Sequence, residues 1–113
     1  MKVNALLKID CLKLITKDVC LDKEISDLYT CDLLSWVMGH VHEENVVLLT
    51  VLNSMNAVAL ATLLDMSAII FCEDVMPSDD IIKKANEENV PLFTSSKSSY
   101  KSAKEILKYE SLL

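Results

Sequence analysis

Five hydroxyl side chains, Thr94, Ser95, Ser96, Ser98 and Ser99, lie between the short apolar run Leu92-Phe93 and a helical pattern that begins near Tyr100. Where a strand runs into a helix start, unpaired backbone N–H groups and hydroxyl donors can hold an anion, so this loop is a candidate site for phosphate or a nucleotide. The same residues also suit an ordinary polar loop with a serine cap. Asn53 and Asn56, at the start of another helix that follows a strand, join them as candidate ligand contacts. A Walker loop or a dinucleotide fingerprint needs several glycines for close backbone approach, and a chain with one Gly can make neither.

His40 and His42, with Glu43 and Glu44 beside them, could supply two metal ligands from one extended face, but no third ligand stands nearby, so no metal and no cofactor is expected. Cys31 precedes a helical pattern, where a thiol can be activated, yet burial as a small hydrophobe fits it better. No Ser-His-Asp or Cys-His arrangement is evident along the chain. The acidic pairs Glu43-Glu44, Asp79-Asp80 and Glu87-Glu88 would point about 100° apart on a helix, which suits solvated faces better than shared acid–base work.

These residues need a scaffold, and 113 residues with 51% hydrophobic side chains are enough for one folded domain, taken as 1–113. Seventeen acidic against eleven basic residues give a formal charge of −6, which argues against nucleic acid and anionic membranes as partners. The longest apolar stretch, Val46 to Met66, is broken by Asn53, Ser54, Asn56 and Asp65, and Lys8, Asp10 and Lys13 interrupt any leader-like run. The expectation is a soluble, cytoplasmic protein. Cys11, Cys20, Cys31 and Cys72 form no C-x-x-C pair and no regular framework, which suits reduced thiols.

The pattern predicts a short leading helix over Val3 to Ile9, a brief strand over Leu12 to Thr16 and a second extended segment over Ile25 to Tyr29. Thr30 or Asp32 is expected to cap the next helix, with Leu33, Leu34, Val37 and Met38 as its apolar stripe and Gly39 as a left-handed stop. VVLLTV from Val46 and AIIFC from Ala68 lack polar alternation, as strands covered on both faces do. Asn53 or Ser54 caps a helix between them. Pro77 and Ser78 open a further helix that Asn89 ends, Leu92 to Ser95 is a short strand, and Ser98 or Ser99 caps a last helix. The order strand-helix-strand-helix-strand-helix from residue 46 onward predicts a three-layer α/β fold with a small, mainly parallel sheet flanked by helices.

Helix 54–65 is unusual, since Met55, Ala57, Val58, Ala59, Leu60, Ala61, Leu63 and Leu64 leave almost no polar face. Such a helix must be covered on two sides. A sheet covers one; a second copy of the chain is the expected cover for the other, with the N-terminal helix or the tail as the alternative. Trp36 lies off the stripe of its helix and is placed near the surface, where aromatic side chains favour contacts or pack under a loop. Trp36, Met55, Val58, Ala59, Ala61 and Thr62 are the candidate dimer residues.

The stretch from Asp22 to Ser95 carries D-L-L-S-x-V-M-G at Asp32 to Gly39, Asn56 in N-A-V-A, and Val90-Pro91-Leu92 in that order, and with them the chain resembles the DRTGG domain. The resemblance implies a fold similar to the N-terminal domain of HPr kinase/phosphorylase, in a family found with CBS-domain pyrophosphatases, in some phosphotransacetylases and as stand-alone proteins. It implies a regulatory or dimerising module and assigns no reaction. Asp27 and Leu28 stand where the family often has a paired glycine, so a ligand contact through those glycines is not carried over. The expected function is therefore a non-enzymatic regulatory or scaffolding homodimer with a possible protein partner. The alternative is a sensor of a small anionic metabolite or nucleotide.

Overall fold

The computed structural model describes residues 1–110. Its centre is Val46–Thr50, a strand buried at every position, because its alternate side chains feed two separate cores. Val46 and Leu48 pack into one, Val47 and Leu49 into the other. Ala68–Phe71 divides in the same way, with Ile69 and Phe71 on one face and Ala68 and Ile70 on the other. A run with no polar alternation is what such double cover requires, and both strands form where the sequence places them.

In chain order, β1 is Leu12–Leu14, β2 Asp27–Thr30, β3 Val46–Thr50, β4 Ala68–Phe71 and β5 Leu92–Ser95; α1 is Leu34–His40, α2 Met55–Leu63, α3 Asp79–Glu87 and α4 Ser99–Tyr109. A 3₁₀ helix, Val3–Lys8, leads the chain. The sheet order is β1-β5-β4-β3-β2, with β2 to β5 mutually parallel and β1 antiparallel on the edge of β5. Strands 2 to 5 thus advance in one direction, and crossovers of one hand then stack their helices on one face. Val37 of α1, Val58 of α2 and Ile81 of α3 share a core, whereas Ile106 of α4 packs with Val3 and Leu6 of the leading helix on the other. The three-layer, mainly parallel α/β fold is the observed one.

Serines start three of the helices: Ser54, Ser78 and Ser98 each accept a backbone N–H in the first turn of α2, α3 and α4. α1 differs from expectation. Its N-cap is Leu33, without a side-chain cap; Thr30 ends β2, and Asp32 turns its carboxylate to the Thr50 hydroxyl and the Val51 N–H, both at 2.8 Å. Gly39 lies inside α1 and has no positive φ; the left-handed positions are Asp18, Asn45, Asp65, Glu73, Asp74 and Asn89. Asn and Asp tolerate that region better than most side chains, which lets a chain with one glycine turn its corners. Leu33 and Met38 are exposed rather than part of a buried stripe, which reduces to Val37 with Leu34 against it.

Candidate functional site

The loop after β5 spends most of its hydroxyls internally. Thr94 Oγ1 donates to the Val75 carbonyl at 3.0 Å, and Ser95 Oγ, fully buried, shares a 2.6 Å hydrogen bond with buried Ser102 Oγ of α4. Ser98 Oγ caps α4 by accepting the Lys101 N–H, and Ser96 donates its N–H to the Cys11 carbonyl at 3.1 Å. Of these hydroxyls, that of Ser99 lies against the buried Cys72 thiol, and only that of Ser96 has no partner among the described residues. α3 and α4 leave the neighbouring strands β4 and β5 toward opposite faces, the place where open α/β sheets form a ligand crevice. Here the crevice is laced shut: Glu73 and Asp74, both left-handed, donate their N–H groups to the Lys97 and Ser95 carbonyls at 2.9 and 2.8 Å. Asn53 belongs to the same junction, donating to the Met76 carbonyl at 3.1 Å, while Asn56 is exposed on α2.

Beside this junction, on the α4 face of the sheet, lies an open cleft of about 410 Å³ between residues 8–11 and α4. Lys8, Asp10, Lys97, Glu105 and Lys108 line it, with Tyr109 at one end. Glu105 Oε1 accepts Lys97 Nζ at 3.0 Å, and its Oε2 lies 3.8 Å from Lys108 Nζ. The hydrogen bond from Lys97, helped by the charge of Lys108, holds the Glu105 carboxyl below its usual range, and Glu105 in turn raises Lys97. None of these residues stands out in the sequence, because they come from three separate segments. The one local hint is that Glu105, Lys108 and Tyr109 recur at i, i+3 and i+4 along α4.

α2 is covered on one side by the chain itself. Val58 and Ala61 are buried in the core with Ala57 and Leu60, so they cannot line an outer contact, and the exposed face is Met55, Asn56, Ala59, Thr62 and Leu63. Leu63 is 68% exposed and borders a hollow shared with exposed Met38 of α1. Trp36 is 51% exposed on the opposite flank of Val37; its ring stacks on His40 at 3.7 Å and its Nε1–H donates to the Tyr29 hydroxyl at 3.2 Å. His40 is thereby taken up by Trp36, and among the described residues no three His, Cys, Asp or Glu side chains converge as metal ligands. The four cysteines are free thiols; buried Cys72 is pushed up by loss of solvent, and Cys31 is partly buried, its Sγ 3.6 Å from the Leu33 carbonyl. Among the described residues, no helix is long and apolar enough to cross a membrane.

The DRTGG domain matches residues 13–109, nearly the whole chain. The chain belongs to the DRTGG domain family. Among solved structures, this DRTGG domain is similar to the CBS and DRTGG domains of the regulatory region of Clostridium perfringens pyrophosphatase, complexed with the activator diadenosine tetraphosphate. The TM-score is 0.71 at 15% identity, covering 95% of this chain and 46% of that one, so the DRTGG domain described here spans about half the length of its structural neighbour. No curated protein matches it. The family match carries the membership, and the structural likeness, at that identity, carries the fold alone.

Proposed function

We propose that this DRTGG domain is a non-enzymatic regulatory module that works through protein contact, pairing with a second copy across the outward face of α2. The observation that carries the reading is the composition of that face. Met55, Ala59 and Leu63 are exposed, Asn56 and Thr62 are its only polar side chains, and α2 carries no charge along its length. A solvent-facing helix side normally collects charged residues, and an uncharged apolar side is stable only under cover. A twofold contact also reads naturally here, since a helix face centred on the small Ala59 lets two copies of α2 approach closely.

The neighbouring structure supports a regulatory setting, because its DRTGG domain sits in a regulatory region beside CBS domains. A protein partner of this module would meet the same face or displace the second copy from it. Ala59→Glu tests the reading: light scattering after size exclusion should give a dimer for the unmodified chain and a folded monomer for the variant, whereas Lys101→Glu, on α4 across the sheet, should leave the dimer intact. A folded Ala59→Glu variant that remains a dimer would remove α2 from the interface.

A further inference from the structure

The cleft between residues 8–11 and α4 holds a surplus of positive charge in a chain that is otherwise acidic. Lys8, Lys97 and Lys108 face Asp10 and Glu105, leaving one net positive charge there against −6 for the whole chain. Glu105 is shared by two ammonium groups, and Lys8 makes no ion pair among the described residues. Each ammonium has three donors, so after Lys97 satisfies Glu105 it still has N–H groups to offer. Lysines act as point charges toward phosphate and demand no planar fork, and the volume of about 410 Å³ suits a small molecule rather than a polymer.

We infer that this cleft binds the phosphate group of a small phosphorylated molecule, held by Lys8, Lys97 and Lys108, with Glu105 as the carboxylate that positions two of the lysines and competes with the ligand for them. Tyr109, 43% exposed at the rim, offers a ring face to the uncharged part of the molecule. The inference deepens the regulatory reading by naming what the module would respond to. It does not depend on self-association, because the cleft and the outward face of α2 lie on opposite sides of the sheet. Lys97 joins the cleft to the crevice that the 73–74 turn closes, since its own carbonyl accepts the Glu73 N–H.

A ¹H–¹⁵N correlation titration of the full chain with glycerol 1-phosphate tests the inference, with inorganic phosphate, citrate and sodium chloride at matched ionic strength as parallel arms. The expected result is saturable movement of the Cys11, Lys97 and Tyr109 amides with the monoester. Lys8→Gln and Lys97→Gln should each weaken binding about two- to fivefold, as the loss of one exposed charge contact does. Glu105→Gln, which removes the competing carboxylate, should tighten it. Inorganic phosphate acting as strongly as the monoester would locate the recognition in the phosphate alone, which also supports the site. Shifts that rise without saturation and match sodium chloride would overturn it, as would an equal response to citrate or an equal loss on substituting Lys101, which lies outside the cleft.

Discussion

Asp32 shows how a side chain that resembles a helix cap can serve another element. Its carboxylate ties the end of β2 to the end of β3 through the Thr50 hydroxyl and the Val51 N–H, and Thr50 is fully buried. Asp32→Ala would leave that buried hydroxyl without an acceptor and is expected to cost about 1–3 kcal/mol, read as a lower urea midpoint at unchanged slope. Glu105 gives a prediction with a definite pH sign. Its carboxyl is held below the usual range by Lys97 and Lys108, so its contribution is present above the ordinary carboxylate range and is lost as pH falls through the lowered value. The stability difference between the unmodified chain and Glu105→Gln should therefore be present at neutral pH and vanish in acid, in thermal melts across that range. An unchanged gap in acid would mean that the side chain acts by packing and not by charge.

At the scale of elements, legibility followed burial. β3 and β4 were legible because strands covered on both faces read as unbroken apolar runs, and α3 was legible from Ser78, Asp79 and Asp80. Of Ile81, Ile82 and Ala85, which the pattern turns inward, only Ile81 and Ala85 are buried, and Ile82 is half-buried at the edge. α1 was legible as a helix but not in its ends. Its caps depend on where Asp32 finds a partner, and that partner, Thr50, lies in a different strand. α2 shows the limit of periodicity, since a helix apolar on every side does not say which side is inward. The fold decides it, turning Val58 and Ala61 to the sheet and Met55, Ala59 and Leu63 out. The two sides should then respond differently to the same charge. Ala61→Glu places a carboxylate in a core 1% exposed and is expected to abolish the cooperative unfolding transition, while Ala59→Glu should keep it. Beyond the spacing of Glu105, Lys108 and Tyr109 along α4, the lysine cleft was not legible, because residues 8, 97 and 108 meet only after β1 has paired with β5 and α4 has folded back.

For the whole molecule, the sheet separates two surfaces with different chemistry. One side carries the uncharged face of α2, beside exposed Met38 of α1; the other carries the cleft lined by Lys8, Lys97 and Lys108. A module arranged this way can present one face to a protein and another to a small ligand, with the β4–β5 junction between them. Burial of Met38, Met55 and Leu63 from each copy would supply the association, at up to about 1.5–3 kcal/mol for each side chain that becomes fully buried. Because that attraction is apolar, it should persist at high salt, whereas association through ion pairs would weaken as salt screens them. Sedimentation equilibrium of the unmodified chain over a range of micromolar concentrations, at low and high salt, tests the central claim most directly. The account predicts a mass twice that of the 12.6 kDa chain at both salts. A mass of 12.6 kDa at every concentration would contradict it.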